Sequence, residues 1–445
     1  MSVLVVGVDA VSRLNFYRQM PETAAFLKEL GAFEMLGYNK VEDNTFPNLV
    51  PVLTGLTEAE LKATCWPSTS SVFDDCPFLW KRYSEAGFLT AYGEDASWMG
   101  TFNYMKNGFH KQPTDFYLQI FNHVAEKEAG HEKRLNANLC VGKRLNLDML
   151  LGGVASFALG SLGAPFFGFF WGGSLSHDFL NLPRLGDKSH LKMLQLFKDQ
   201  GLLERTVFVL MSDHGIRWGG IRETYQGYLE ERLPFLFLVL PQWFREEFPT
   251  AVSYLRLNGR RLTTPFDLHE TLKDLVDLKG LRKNEIKKRM QSDTPGGRSL
   301  FLPISDERNC TSARIADNWC TCHQSEPLSA NSSGAVQAAR ALVGRLNALL
   351  DGHRECARLD VGSVISARLE VPTSHLSAPK ETIPVKDYTV TVRTRPGGGL
   401  FEATVRRDPG GYKVVGTVSR INTYGDQSAC IAHYKLKLYC FCLPR

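Results

Sequence analysis

The amino-acid sequence predicts an α/β protein: a doubly wound, mainly parallel sheet with helices on both faces, followed by a smaller Cys-rich domain with antiparallel strands. Two observations carry this expectation. Through the first 280 residues, short and continuously apolar runs alternate with segments of helical period, the pattern of parallel strands buried on both faces. Past "SDTPGGRSLF" (292–301) the texture turns Cys-, Ser- and Asn-rich, and then to strands in which apolar and polar residues alternate. Such alternation belongs to antiparallel sheets with one solvated face.

The first region is expected to hold strands at 3–8 "VLVVGV", 88–92 "FLTAY", 166–171 "FFGFFW", 206–211 "TVFVLM" and 233–239 "LPFLFLV". Helical periods lie between them at 22–30, 78–86, 188–199 and 266–277. Residues 149–173 carry no charge and have the length of a membrane span. Their Pro165, seven glycines and abrupt change to "FFGFFW" predict a helix, a turn and a buried strand instead. In the second region one helix is expected near 335–351. From about residue 360, "DYTVTVRTRPGGGLFEATVRRDPGGYKVVGTVSRI" reads as antiparallel strands around two Gly-rich turns. The expected domains are residues 1–305 and 306–445.

A formal net charge of +5 is too weak to imply a nucleic-acid partner, and the basic run at 279–290 reads as a solvated helix face. The ten cysteines are clustered, seven of them after residue 300. An even number among Ser, Asn and Pro reads as a disulfide framework made in an oxidising compartment. The glycosylation triplets at Asn309 and Asn331 agree with that route. The start "MSVLVVGVDAVSR" is no signal peptide, because an acid interrupts its apolar run. An upstream signal or anchor is therefore expected to be missing from this chain, and any membrane attachment would run through that segment. Oligomeric state is left open.

In a doubly wound sheet, functional groups gather where strands end at their carboxyl edge. Asp9 follows the first strand, His177 comes soon after the third, and Asp213 and His214 follow the fourth in "LMSDHGIRWGG". Between them "NTFPNLVPVLTG" places Thr45 before a helix with Pro47 in its first turn. Two carboxylates, an imidazole and a hydroxyl make a mixed nitrogen and oxygen ligand set that suits zinc better than calcium. A hydroxyl on a divalent cation gains the acidity a nucleophile needs, and the helix N-terminus behind Thr45 offers N–H donors to an anion. Together these define attack on a phosphate or sulfate ester. Arg217 and Arg222 read either as bidentate phosphate contacts or as surface arginines.

With "VDAVSR", "NTFPN", "SLSHD" and "SDHG…EERLP" in this order, before a Cys-rich end "INTYGDQSACIAHYKLKLYCFC", the chain resembles the alkaline-phosphatase superfamily. It is most similar to a family of animal sulfatase-like extracellular proteins, a domain of unknown function, over essentially its whole length. The resemblance implies an alkaline-phosphatase-like fold, Thr45 as nucleophile, and Asp9, Thr45, Asp213 and His214 as ligands of one zinc. Departures limit it. The C-x-P-x-R motif of sulfatases is missing, and Gly173 stands where two-zinc phosphodiesterases carry an aspartate, which leaves a second metal site incomplete. His269 fits a helix-packing pattern and is read as structural. The phosphoethanolamine transferases are similar in having one well-defined zinc, and by that likeness His177 becomes a substrate or leaving-group contact; Asn48, like Arg217 and Arg222, is a candidate substrate contact. The implied activity is metal-dependent phosphoryl transfer or phosphoester hydrolysis on a small-molecule, glycan or lipid phosphate ester. A sulfate-ester hydrolase and a non-catalytic binding ectodomain of the same fold are the alternatives.

Overall fold

The computed structural model describes residues 1–133, 136–290, 296–371 and 385–444; residues 292–295 of the "SDTPGGRSLF" stretch lie outside them. Two compact units form. The first comprises Met1–Ile216 and Glu230–Arg314, the second Arg217–Leu229 and Ile315–Arg445.

The first unit is built on a seven-stranded sheet. Its strands are β1 (Ser2–Val8), β2 (Phe33–Glu34), β3 (Leu89–Glu94), β4 (Phe116–Tyr117), β5 (Phe166–Gly172), β6 (Thr206–Met211) and β7 (Leu236–Val239), in the spatial order β2-β7-β6-β1-β5-β3-β4. β1 lies at the centre and every one of its residues is buried. It pairs in parallel with β6 (Ser2↔Thr206) and β5 (Val3↔Phe167), and β3 pairs in parallel with β5. β7 and β2 run antiparallel at one edge. The expected strand at 233–239 forms a continuous ladder only over Leu236–Val239; Pro234, which has no N–H to donate, makes an isolated bridge with Ser12 instead. The two-residue strands β2 and β4 are too short to show a period.

Helices α1 (Thr45–Thr54), α2 (Asn146–Gly160), α3 (Asp187–Asp199) and α4 (Pro265–Asp274) pack in the same unit. Leu150, Val154 and Phe157 of α2, with Met193, Leu194 and Phe197 of α3, share one core with Leu4, Val6, Phe170 and Phe208 of the strands. Fully burying side chains of this size contributes roughly 1.5–3 kcal/mol each. Gly7 is required where β1 passes the Trp171 ring: a Cβ there would lie 1.9 Å from it. The uncharged stretch at 149–173 is thus most of α2, a turn and β5. No helix among the described residues is long and apolar enough to cross a membrane.

The second unit carries a five-stranded antiparallel sheet of β8 (Gln324–Leu328), β9 (Asp360–Val371), β10 (Lys386–Arg395), β11 (Leu400–Asp408) and β12 (Gly411–Arg420), in sequence order. One face packs against α5 (Ser333–Leu349), whose Ala335, Ala339, Leu342 and Leu346 meet Val390, Val392 and Val405. β8 holds Pro327 and is an edge strand, where a missing N–H costs least. Bridges join Cys65 to Cys76 in the first unit, and Cys356 to Cys440 and Cys430 to Cys442 in the second. Cys140 and Cys322 are free thiols, so the framework does not take in all ten cysteines.

Candidate metal centre

Parallel strands deliver their carboxyl ends to one edge of the sheet, and four chain segments turn there. Asp9 leaves β1, Asp95 leaves β3, Gly173 leaves β5 and Asp213 leaves β6. The residue after Asp9, Ala10, has φ of 58°. This left-handed conformation is strained for a side chain with a Cβ, and such strain concentrates at functional sites. Ala10 N–H donates to Asp213 Oδ1 (3.2 Å), which also accepts from His214 N–H (2.9 Å). One carboxylate oxygen is thereby fixed by two backbone donors. The other, Oδ2, is buried without a hydrogen-bond donor, 3.1 Å from His214 Nε2.

His214 is oriented from behind. Its Nδ1 lies 2.8 Å from the carbonyl of Gly215, which can only accept, so Nδ1 carries the hydrogen and Nε2 turns its lone pair inward. That is the tautomer a metal-binding histidine needs. Asp9, Asp213 and His214 are all buried, and one ligand atom from each lies within 4.8 Å of the others. Asp9 Oδ1 is 3.8 Å from His214 Nε2. Two carboxylates and an imidazole lone pair converging in a buried space repel one another unless a proton or a cation sits between them. The donor set and the orphaned oxygen fit a divalent cation.

Thr45 adds a hydroxyl. It is the first residue of α1, half-buried, and its Oγ1 donates to Asp9 Oδ1 at 3.2 Å and lies 3.3 Å from His214 Nε2. No side chain caps this helix, and Pro47 has no N–H, so Thr45 and Phe46 carry the first-turn donors. The structure therefore brings together Asp9, Thr45, Asp213 and His214.

The other candidates have surroundings of their own. Asn48 is fully buried and its amide is committed to the chain that leads into Thr45. Its Oδ1 accepts from Val41 and Glu42 N–H, and its Nδ2 donates to the carbonyls of Glu42 and Asn44. With both acceptor sites and both donors used, it braces that segment instead of contacting substrate. His177 Nδ1 is 3.3 Å from Asp178 Oδ1, in the segment that follows Gly173. A Cβ at Gly173 would lie 3.2 Å from Asp9 Oδ2, so the position at which a second-site aspartate is missing does adjoin Asp9. Arg217 and Arg222 belong to the second unit, where Arg222 is buried and donates to Glu402 and to the carbonyls of Arg217 and Gly227. His269 packs under Gly55 at the end of α1 and hydrogen-bonds the Val52 carbonyl through Nδ1. Burial pushes its pKa down to about 4, which keeps it neutral.

Two supporting groups escaped the sequence reading. Asp95 accepts from the N–H groups of Gly173 (2.7 Å) and Ser174 (3.0 Å), which holds the turn beside Asp9. Burial pushes its carboxyl up to about 6 against these donors. The rule that selected Asp9, an acid directly after a strand, points to Asp95 as well. Lys40 is fully buried and ion-paired with Glu231, and it donates to the Asp43 carbonyl (2.9 Å). Glu231 also pairs with Arg232, and its own carbonyl accepts from Gly215 N–H (2.9 Å). This network ties the segment before Thr45 to the turn that carries His214.

No curated protein matches the chain. Among the solved structures it resembles are the lipoteichoic acid synthase LtaP from Listeria monocytogenes (11% identity, 73% of this chain and 77% of that chain, TM-score 0.44) and the C-terminal periplasmic domain of EcEptC from Escherichia coli (13%, 69% and 87%, 0.44). Murine ectonucleotide pyrophosphatase/phosphodiesterase 5 is a third (14%, 49% and 59%, 0.32). These likenesses are too loose to assign a role to any residue. The family described as "Protein of unknown function (DUF229)" matches residues 1–365, and the chain belongs to that family.

Proposed function

We propose that this protein is a zinc-dependent enzyme that transfers or hydrolyses a phosphoryl-containing group through a covalent phosphothreonine at Thr45, on a glycan or lipid phosphate ester. The observation that carries the reading is the juxtaposition of a half-buried hydroxyl at a helix N-terminus with a buried Asp-Asp-His cluster. Asp9, Asp213, His214 and Thr45 would hold the ion. When bound, it supplies positive charge that acidifies the Thr45 hydroxyl and offsets the negative charge of the ester.

The chain's own groups do the remainder. The Thr45 hydroxyl hydrogen is directed at Asp9 Oδ1, which receives the proton as the bond from Oγ1 to phosphorus forms and the leaving oxygen departs. The N–H groups of Thr45 and Phe46 donate to the phosphoryl oxygens. The segment held by Asp95 carries His177 to the leaving-group side. Water or an acceptor alcohol then cleaves the phosphothreonine. The disulfides agree with an extracellular or secretory-lumen location.

The test is made at Thr45. Thr45→Ala should lower turnover of a phosphate ester by about three orders of magnitude or more, while Thr45→Ser keeps part of it because the oxygen remains. Zinc content should stay close to wild type in both, since three ligands persist. An acid quench of the wild-type reaction followed by peptide mapping should find a phosphoryl adduct on the peptide containing "NTFPN". An alanine variant that turns over normally would make Thr45 a helix-start residue alone.

A further inference from the structure

The helix Gln119–Ala129 is inverted. Its polar residues Gln119, Asn122 and Glu126 are buried, and its apolar residues Ile120 (65% exposed), Phe121 (56%) and Val124 (52%) face outward. The buried face is held by hydrogen bonds: Gln119 Nε2 donates to the Ser97 carbonyl (2.7 Å), Asn122 Nδ2 donates to the Glu94 carbonyl, and Glu126 accepts from Ser97 N–H (2.8 Å) and Asn146 Nδ2 (3.1 Å). Rotating the helix to bury its apolar side would break these bonds, so the exposure is built in. Residues 120, 121 and 124 share one face at helical spacing, and Phe116 and Trp98 are exposed as well. Ile120, Phe121 and Val124, each more than half exposed, make an apolar ridge on the order of 300 Å², a size that on a monomer is often functional.

We propose that this face docks onto an anionic lipid surface. Three features choose that occupant. A standard protein–protein interface buries roughly 800 Å² on each partner, more than this patch offers, whereas insertion into a bilayer interface needs only a shallow apolar ridge. The ridge is aromatic and aliphatic, the composition of interfacial anchors, and Lys133 Nζ stands 5.2 Å from the Trp98 ring. Exposed cations also outnumber exposed acids around it. Lys127 lies at the helix end, Lys133 and Lys143 in the turns that follow and Arg144 on a short strand, against Glu128, Glu132 and, beside Phe116, Asp115, and each such cation near an anionic surface adds attraction. The proposal is independent of the chemistry assigned to the metal centre.

Vesicles of phosphatidylcholine with phosphatidylserine, sedimented with the full chain, test it. The chain should pellet with them, and less with phosphatidylcholine alone. Ile120→Ser combined with Phe121→Ser and Val124→Ser should lower the partition coefficient by about a hundredfold or more. Lys127→Glu with Lys133→Glu should lower it by about tenfold, in a manner that added salt mimics. An unchanged melting temperature shows that the triple variant is folded; if it is not, Val124→Ser alone serves the same comparison. A wild-type chain that stays in the supernatant overturns the proposal, as does a folded variant that sediments equally well. So does a wild-type dimer in sedimentation velocity that the variant turns into a monomer, since the face would then belong to a second copy of the chain.

Discussion

At the scale of single residues, Asp213 and His269 show how position assigns a role to a side chain. Asp213 Oδ1 is used by two backbone donors while Oδ2 is left without one. Asp213→Asn keeps the acceptor at Oδ1 and removes the charge the cation needs. Zinc affinity should fall by about a hundredfold or more, with the melting temperature of the metal-free protein unchanged; elemental analysis after dialysis against a graded chelator reads the first, and calorimetry the second. His269 makes the opposite case, a histidine kept from charging. Its pKa is lowered to about 4, first by burial and to a smaller degree by the nearby Lys273 and Arg82, against a hydrogen bond to Val52 that raises it. Between about pH 6.5 and pH 4 the unfolded chain therefore binds a proton that the folded chain refuses, so stability falls as pH falls through that window. The loss approaches about 3 kcal/mol below pH 4. His269→Gln, which cannot charge, should flatten this part of the urea-denaturation profile, and an unchanged slope would mean that other groups set it.

At the scale of elements, the position of Thr45 depends on how α1 is entered. Asn48 sits one turn into the helix and holds residues 41–44 through four hydrogen bonds, and Lys40 anchors the same segment to Glu231. Asn48→Ala leaves buried backbone groups unpaired, at about 1–3 kcal/mol, and frees Thr45 to drift. A displacement on the order of 1 Å is enough to cost about a hundredfold in rate. The expected result is a large fall in kcat with zinc content retained, read by steady-state kinetics beside elemental analysis. A rise in KM alone, with kcat unchanged, would instead return Asn48 to direct substrate contact. Removing Lys40 takes one of two cations from the buried Glu231 and leaves Arg232 as its partner, so Lys40→Met should lower stability more than activity per folded molecule.

At the scale of the whole molecule, the two units differ in what stabilises them. The first buries a continuous core of strands and helices, whereas the second has one helix on one face of a five-stranded sheet and two bridges of its own. The bridge from Cys356 to Cys440 closes 84 residues of sequence separation and that from Cys430 to Cys442 closes 12. In the chain-entropy account the longer loop contributes more, within a range of about 2–5 kcal/mol. Replacing Cys356 and Cys440 together by serine should lower the unfolding transition of the second unit more than replacing Cys430 and Cys442, and hydrogen exchange resolved by peptide would separate the units. Equal losses in both units would contradict the assignment of these bridges to the stability of the second.

The sequence by itself determined the alternation of strands and helices, because a strand covered on both faces has to be apolar at nearly every residue, as β1, β5 and β6 are. It also determined which acids and histidines stand at strand ends, since that is a matter of chain order, and so Asp9, Asp213 and His214 were legible. The charge-free run at 149–173 was readable for the same local reason: proline and glycine interrupt it. What only the tertiary structure decided is everything that depends on contacts between distant residues. Asn48 looks like an ordinary polar residue beside Pro47 until its partners at 41–44 are in place. Gly215 N–H meets Glu231, and Ala10 meets Asp213 across some two hundred residues, through space that no periodicity records. The segment 217–229 joins the second unit although its neighbours on both sides belong to the first. The helix at 119–129 has an amphipathic period that the sequence displays, but the period carries no sign. Hydrogen bonds to Ser97 and Glu94 turn its polar face inward, and the chain contains no local signal of that choice.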